Sequence, residues 1–235
     1  MVTSLTYSII IPIYNEASTI QRSLQRWQQW QALANCELIF VDGSSTDQSV
    51  RLLKANGFEV LQSQPGRALQ MNAGAVRAHG ALLCFVHADS YWLDTVTIWQ
   101  QHLVQLATNP NGWGFCRVQI VGRSIGLKMV SFCMNYRSQW TQVATGDQGL
   151  FIHRSLFEQL QGFPILPLLE DVAFSKQLRA HAAPLIVPIT MYTSGRRWDQ
   201  QGLWRTIGLM WRIRWLYWRG DDPEQLKRLY RKDGP

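Results

Sequence analysis

Three apolar runs in the first ninety residues each end in a short polar segment that carries an acidic side chain. The runs span residues 8–11, 38–41 and 82–86, and the acids that follow them are Glu16, Asp42 and Asp89. Uninterrupted apolar runs of this length are typical of strands that a parallel sheet buries on both faces. Ligands of such sheets bind beyond the carboxyl ends of the strands. The pattern therefore predicts a crevice lined by carboxylates that suit a metal ion, a nucleobase, a ribose or a cationic group.

Helical spacing of apolar residues separates these runs. Ser18 and Asp47 precede two such segments, and we interpret both as helix caps, Asp47 as a cap rather than a ligand. Gly57 ends the second segment, a short strand is predicted at 58–61, and a third helix at about 68–79. The resulting alternation of strands and helices predicts right-handed crossovers and an open, mostly parallel α/β sheet flanked by helices.

The second half of the chain is less regular. Helices are predicted at 93–106, 124–140 and 203–218, with a last one from Pro223, and strands at 114–121, 149–152 and 185–187. A proline-containing loop at 164–167 leads to Glu170 and Asp171 at the start of another helix. Because no repeat or linker interrupts the chain, we predict one domain over residues 1–200 and a helical extension over 201–235.

Composition narrows the setting in which the protein acts. Hydrophobic residues make up 46% of the 235 positions, enough for a sizeable core. The four cysteines form no CxxC pair and are interpreted as reduced core residues of a cytoplasmic protein. The N-terminus lacks the pattern of a signal peptide, and no run of 18 apolar residues suggests a membrane span.

The C-terminal segment 196–235 is basic and rich in tryptophan. It contributes five of the seven net positive charges and five of the eleven tryptophans. Arginines recur every seven residues along one predicted helical face, with tryptophans on another, which suits a helix lying in an anionic membrane interface. A helix that covers the core with an exposed arginine face explains the pattern equally well. Nucleic-acid binding is not expected as the main role, because the predicted crevice is acidic.

Four motifs in this order resemble family 2 glycosyltransferases, which have the GT-A fold. The chain carries SIIIPIYNE at 8–16, VDGSSTD at 41–47, GRALQMNAG at 66–74 with HAD at 87–89, and GDQ at 146–148 with ED at 170–171. The glycine-arginine and His-Ala-Asp forms, with RRW at 196–198, resemble a subgroup of short bacterial members. The second motif has one fewer consecutive aspartate than the usual VDDGSTD.

The resemblance implies a nucleotide-diphosphate sugar as donor, with UDP favoured. It implies that Asp42 accepts a hydrogen bond from the nucleobase, while Pro12, Tyr14 and Glu16 line the base and ribose pocket. Arg67 would pair with the diphosphate, and a second group would close over it, namely Arg196, Arg197 and Trp198. Asp147 and Gln148 would lie on the acceptor side.

A divalent metal ion, Mn2+ or Mg2+, is implied as cofactor, with Asp89 as its carboxylate ligand. His87 stands where the motif usually has its first aspartate, so it would either ligate the metal or hydrogen-bond the ribose. By the same resemblance, Asp171 is the general base that takes the proton of the acceptor hydroxyl, and Glu170 supports it. The transfer would invert the configuration of the sugar.

Other classes fit the residues less well. A protein that binds nucleotide sugars or membranes without turnover is the alternative, and His87 is its best support. A nucleotidyltransferase would need a glycine-rich phosphate loop after the first strand, and a dinucleotide-dependent oxidoreductase a GxGxxG segment, and the chain has neither. The motifs leave the acceptor unknown. If the C-terminal segment contacts a membrane, we expect a lipid-linked or amphiphilic acceptor.

Overall fold

The computed structural model of the chain describes residues 7–33, 35–93 and 96–232, with the backbone alone at 96–100, 231 and 232. Its strands are β1 (Tyr7–Ile13), β2 (Cys36–Asp42), β3 (Val60–Gln62), β4 (Leu82–Phe85), β5 (Trp113–Val121), β6 (Leu150–His153) and β7 (Leu185–Ser194). Its helices are α1 (Ala17–Gln31), α2 (Ser49–Ala55), α3 (Arg67–Arg77), α4 (Val96–Ala107), α5 (Gly126–Thr141), α6 (Arg154–Gln159), α7 (Glu170–His181), α8 (Arg196–Gln201), α9 (Leu203–Arg219) and α10 (Pro223–Lys232). A 3-10 turn spans Gly146–Gln148.

The seven strands form one sheet in the order β3-β2-β1-β4-β6-β5-β7. The first four run parallel, β6 runs antiparallel to both β4 and β5, and β7 runs parallel to β5. The prediction of a mostly parallel α/β fold is confirmed. β1 lies between β2 and β4, so the three strands whose polar ends the sequence singled out are neighbours. Their carboxyl ends meet at the point where the strand order reverses, which is where open α/β sheets bind ligands.

Both faces of the sheet are covered, which explains why the strand sequences are apolar without alternation. Ile9, Ile11 and Ile13 pack into one layer with Trp27, while Ile10 faces the opposite layer. The helices therefore hold the central strands of the sheet between two apolar cores, and the polar ends of these strands form the crevice.

Gly74 lets α3 lie unusually close to the sheet. A Cβ atom there would lie 2.5 Å from Ile10 Cγ2 and 3.0 Å from Val41 Cγ2. Asn72, two residues before the glycine, exchanges two hydrogen bonds of 2.9 Å with the backbone of Phe163. These contacts hold α3 against the sheet, so that its start lies at the crevice.

Several element boundaries differ from the sequence predictions. Ser18 lies inside α1, whose cap position is Glu16, so its prediction as the cap was wrong. Asp47 does bind the start of a helix, but its carboxylate accepts hydrogen bonds from both Ser49 N and Ala17 N, at 2.9 and 3.0 Å. It thus ties two helix starts together. The predicted strand at 185–187 extends to Ser194 because it pairs along the whole length of β5.

Two kinds of residue are less buried than the sequence suggested. Trp204, Trp211, Trp215 and Trp218 on α9 are between 54% and 81% exposed, although tryptophan side chains are on average highly buried. Cys133 is exposed as well, although it was interpreted as a core residue. The opposite face of α9 is buried and packs on α5 and β5. Within the described residues, no helix is both long and apolar enough to span a membrane.

Candidate functional site

The loops that follow β1 and β2 are joined by side-chain hydrogen bonds. Asn15, whose φ is +53°, accepts hydrogen bonds through Oδ1 from Thr46 N at 2.8 Å and from Asp47 N at 3.3 Å. Its own N–H donates to Ser45 Oγ at 2.9 Å. An asparagine tolerates this left-handed conformation better than most residues. The two loops therefore form one rigid rim of the crevice.

Asp42 lies beneath that rim and is only 1% exposed. Its Oδ2 accepts hydrogen bonds from the N–H groups of Ser44 and Ser45, at 3.1 and 3.0 Å. The carboxylate thereby shapes the loop, and Ser44 takes a positive φ of 71° within it. A contact between Asp42 and a nucleobase stays a prediction.

Gln70 is a structural residue that the sequence did not reveal. Its amide Nε2 donates to the carbonyl oxygens of Ile13 and Val41, each at 2.8 Å, and its side chain is buried. Ile13 is the last residue of β1, and Val41 is the last but one of β2. Gln70 thus holds the ends of the two strands together under the crevice, a role that only the tertiary packing of α3 creates.

The start of α8 reaches the loop after β1. Arg196 Nη2 lies 3.7 Å from Glu16 Oε1, and Glu16 Oε2 accepts a hydrogen bond of 2.6 Å from Thr19 Oγ1. Tyr14 in the same loop is 53% exposed, and Pro12 is half-buried. The structure therefore brings Glu16 and Arg196, which are 180 positions apart in sequence, to the same edge of the crevice.

His87 and Asp147 form a second pair across the crevice. His87 Nδ1 lies 3.4 Å from Asp147 Oδ1, and the ring packs on Gly146, where a Cβ atom would lie 2.4 Å from Nε2. Burial acts to raise the pKa of Asp147, but the hydrogen bond and charge of His87, with Arg67 and Arg197, bring it below its ordinary value. Both residues were predicted for the site, and they are neighbours in it.

Asp89 follows β4 and is half-buried, and the part of the chain that the structure describes offers its carboxylate no hydrogen-bond or ion-pair partner. Within the same residues, no three His, Cys, Asp or Glu side chains are grouped as metal ligands. A divalent ion that is completed by substrate phosphates needs only one or two protein carboxylates. The free carboxylate of Asp89 beside His87 fits such an ion, and a closed protein cage does not exist here.

Glu170 and Asp171 open α7 at the crevice, as predicted. The helix begins after Leu169, whose φ is +62°. Asp171 Oδ2 accepts a hydrogen bond of 2.6 Å from Gly146 N, and its Oδ1 accepts one of 2.7 Å from Val172 N. The backbone therefore fixes the orientation of this carboxylate.

Glu170 lies deeper than its neighbour, at 6% exposure, against a small cavity. Apolar and polar side chains both line this cavity, among them Met71, Phe85, Phe163, His87 and Asp171. Burial and the adjacent charge of Asp171 raise the pKa of Glu170, and Arg67 and His87 partly offset them. Two neighbouring carboxyl groups thus occupy distinct environments, which is typical of acid–base sites.

Arginines surround these carboxylates. Arg67 at the exposed start of α3 interacts electrostatically with Glu170, Asp147 and Asp171. Arg197 stacks on the ring of Tyr230, with its guanidinium carbon 3.7 Å from the ring centre. The sequence had identified both arginines, but not that Tyr230 of α10 reaches this place.

Arg137 of α5 and Arg214 of α9 also face Asp171, and the sequence analysis missed both. Tyr217, three residues after Arg214, also interacts electrostatically with the carboxylate of Asp171. No local motif marks these residues, since each helix carries other basic or polar side chains among its apolar ones. The only available signal was their position at helical spacing from the buried residues of their own helices.

Two other predicted site residues lie mainly in the protein interior. Gln148 is fully buried, and its amide accepts a hydrogen bond from Ser138 Oγ and donates one to Cys116 O. Trp198 packs partly buried against the apolar cluster between β5 and α5. Both residues therefore stabilise the elements that carry the site, and their contacts with substrate stay predictions.

Comparisons with known proteins agree with this geometry. Residues 8–116 match the family model described as Glycosyl transferase family 2. The uncharacterized glycosyltransferase Rv1514c of Mycobacterium tuberculosis is 26% identical over 197 residues, which cover 81% of this chain and 74% of that protein.

Two solved structures share the fold. The mannosyltransferase PcManGT from Pyrobaculum calidifontis, in complex with GDP-Man and Mn2+, has a TM-score of 0.62 and 19% identity over 88% of this chain and 64% of its own. TarS 1-349 of S. aureus, in complex with UDP-GlcNAc, also has a TM-score of 0.62 and 19% identity, over 81% of this chain and 58% of its own. The chain thus spans less than two thirds of either protein, and the likeness establishes the GT-A fold.

Proposed function

Because the chain is a glycosyltransferase with the GT-A fold, we propose that it transfers a sugar from a UDP-linked donor to an acceptor hydroxyl with inversion of configuration. The observation that carries this proposal is the placement of Asp171. Its carboxylate is oriented by two backbone N–H groups, faces the crevice, and lies among arginines that suit a diphosphate. A transferase of this kind needs a fixed base opposite an anionic leaving group.

The donor occupies the crevice beyond β1, β2 and β4 in this proposal. Pro12, Tyr14 and Glu16 line the base and ribose, and Asp42 lies below the base. The diphosphate lies among the basic residues of the rim, Arg67, Arg196 and Arg197. Guanidinium groups bind diphosphate oxygens through paired hydrogen bonds, and Arg196 is already held at the rim by Glu16.

A divalent metal ion, Mn2+ or Mg2+, would be held by Asp89, with His87 as a further ligand or as a hydrogen-bond partner of the ribose. When bound, the ion would supply positive charge for the leaving diphosphate. The neighbour PcManGT is in complex with Mn2+, which supports the same cofactor here.

Asp171 acts as the general base. Its carboxylate accepts the proton of the acceptor hydroxyl while that oxygen forms a bond to the anomeric carbon. The bond between that carbon and the diphosphate oxygen breaks on the opposite face, so the electron pair leaves with the nucleotide and the configuration inverts. Glu170 supports the base, while Asp147 and Gln148 shape the acceptor side through the 3-10 turn.

The exposed aromatic faces of α5 and α9 support peripheral contact with an anionic membrane, on its cytoplasmic side. Met129, Phe132, Tyr136 and Trp140 recur along one exposed face of α5, and four exposed tryptophans recur along α9. Neither helix contains an acidic residue. Apolar faces flanked by basic side chains suit a membrane interface and an amphiphilic or lipid-linked acceptor.

Calorimetric titration of the protein with UDP, dTDP and GDP, with and without Mn2+, tests the donor class. We expect manganese-dependent binding of UDP, lost in Asp89→Ala and kept in Glu158→Ala, which removes an exposed acid of α6. Absence of nucleotide binding would overturn the proposal. Binding without turnover of a UDP-sugar, in both the native chain and Asp171→Asn, would favour the non-catalytic alternative. Vesicle binding that does not change after removal of residues 203–235 would exclude the membrane contact of that segment.

A further inference from the structure

Helices α5 and α9 meet at their first residues. A Cβ atom at Gly126, the start of α5, would lie 2.3 Å from Leu203 Cδ2 at the start of α9. One turn further, Val130 and Ile207 share an apolar cluster. The absence of a side chain at Gly126 therefore allows the two helix starts to touch.

Arg137 and Arg214 occupy equivalent positions on these helices. Each lies three turns, or eleven residues, beyond the residue at which its helix meets the other. The two guanidinium groups interact electrostatically with each other, as expected for two helices that extend in the same direction from a shared start. Each group also interacts electrostatically with Asp171 at the start of α7.

The two like charges have few compensating groups in the part of the chain that the structure describes. No carboxylate oxygen there lies within 4 Å of either guanidinium, and the oxygens of Asp171 already accept hydrogen bonds from Gly146 and Val172. Arg137 Nε is buried without a hydrogen-bond partner, while its Nη2 donates to Ser138 Oγ at 2.9 Å. Burial and the charge of Arg214 lower the pKa of Arg137 to about 10.

A bound oxyanion would compensate both the buried donor without a partner and the two like charges. It would accept a hydrogen bond from the unpartnered Nε of Arg137 and neutralise the repulsion between the two arginines. The planar fork of arginine matches a tetrahedral phosphate, which offers several acceptor oxygens. The arginines proposed for the donor diphosphate are Arg67, Arg196 and Arg197, and the pair on α5 and α9 is additional to them.

We infer that Arg137 and Arg214 form a binding site for a phosphate group carried by the acceptor substrate, next to Asp171. This inference rests on the proposed function, because Asp171 defines the acceptor side only in a transferase. The phosphate belongs either to a soluble phosphate ester or to a lipid headgroup. The outer faces of the same two helices are the exposed aromatic ones, so both sources reach this position.

Calorimetric titration with inorganic phosphate tests the site, both in the free protein and with UDP and Mn2+ present to fill the donor site. We expect Arg214→Gln and Arg137→Gln each to weaken phosphate binding about tenfold, which corresponds to one charge-assisted hydrogen-bond pair. Arg214→Lys, which keeps the charge but loses the fork, should lie between. Arg212→Gln, which removes an exposed charge from the same helix, is the matched control and should bind as the native chain does.

Thermal melting separates this role from a structural one. Because the arginines repel each other, Arg137→Gln and Arg214→Gln should melt at the same temperature as the native chain or higher while losing phosphate affinity. Phosphate affinity that is equal in the native chain and in both variants, or no phosphate binding in the native chain, would overturn the inference. The proposed function fails separately, through the absence of UDP binding, and the comparison between variants does not require UDP to bind.

Vesicles of phosphatidylcholine with and without phosphatidic acid identify the source of the phosphate. If the acceptor is a lipid, Arg214→Gln should reduce binding to the vesicles with phosphatidic acid more than Arg212→Gln does. If the two variants bind these vesicles equally but differ in their affinity for inorganic phosphate, the acceptor is a soluble phosphate ester.

Discussion

The crevice beyond β1, β2 and β4 and the paired helices α5 and α9 differ in how completely their polar groups are used. In the crevice, Asn15, Asp42 and Gln70 each form two or more hydrogen bonds that fix the rim. On α5 and α9, two arginines face each other, and the outer faces expose aromatic side chains. A rim that is ordered by its own hydrogen bonds suits the binding of one nucleotide-sugar donor. The two arginines of the helix pair, in contrast, need a bound anion to compensate their charges.

The largest expected effect concerns Asp171, the proposed general base, which lies between the two regions. Asp171→Asn keeps the side-chain shape but cannot accept a proton, so turnover should fall by about 10²- to 10⁴-fold. Initial rates of UDP release measure this, and UDP affinity should stay within about twofold. A rate equal to that of the Glu158→Gln control would show that Asp171 is not the base.

The same substitution in the two regions should have opposite effects on stability. Gly74→Ala places a Cβ atom 2.5 Å from Ile10 and should destabilise the fold by roughly 1–3 kcal/mol. Gly208→Ala on α9 meets nothing within 4 Å and should stabilise by about 0.5–1 kcal/mol through a better helix propensity. Denaturant unfolding monitored by circular dichroism measures both. Equal shifts for the two variants would contradict the contrast in packing.

The raised pKa of Glu170 gives a dependence of stability on pH with a definite sign. Its folded state binds the proton more tightly than the unfolded state does, because burial and Asp171 disfavour the charged form. The free energy of unfolding contributed by Glu170 therefore falls as the pH rises from the ordinary glutamate pKa to the raised one. Glu170→Gln should remove this fall and be more stable than the native chain above that window. Identical pH profiles of melting temperature would contradict it.

The smallest expected effect on stability lies on the outer face of α9. Trp211→Gln removes a side chain that is 73% exposed, so the free energy of unfolding should change by less than about 0.5 kcal/mol. Binding to anionic vesicles, measured by co-sedimentation, should nevertheless weaken. Trp113→Gln is the contrasting variant, because Trp113 is buried, and it should destabilise the fold strongly. Undiminished vesicle binding of Trp211→Gln would exclude this face as a membrane contact.

Much of the crevice was predictable because its signals are local in sequence. The runs that became β1, β2 and β4 are apolar and end in polar segments, so neighbouring strand ends followed from the rules of parallel sheets. Glu170 and Asp171 were predicted at a helix start from another local signal, the proline-containing loop that precedes them. Gln70 could not be found, because a glutamine on a helix acquires its role only when Ile13 and Val41 end beside it.

The arrangement of α5 and α9 was less predictable because it depends on tertiary packing. Period and charge predicted α9 correctly, but not which of its faces would be buried, since tryptophan is common in both cores and interfaces. The short helices α6 and α8 were missed because six residues are too few to show a helical period. The positions of Arg137 and Arg214 relative to each other could not be predicted, because they depend on the contact between Gly126 and Leu203.

The shared register of α5 and α9 limits how the length of α9 can vary. Each added residue turns everything after it by about 100° around the helix axis. A single insertion after Gly208 would therefore swing Arg214 away from Arg137 and turn Trp211, Trp215 and Trp218 together away from the exposed face in the same move. A seven-residue insertion, about two full turns, would restore both faces but displace them along the axis by roughly 10 Å. Changes of sequence length in this helix are thus far more restricted than changes of side chain, and tolerance to insertion should be higher in the loop between α9 and α10.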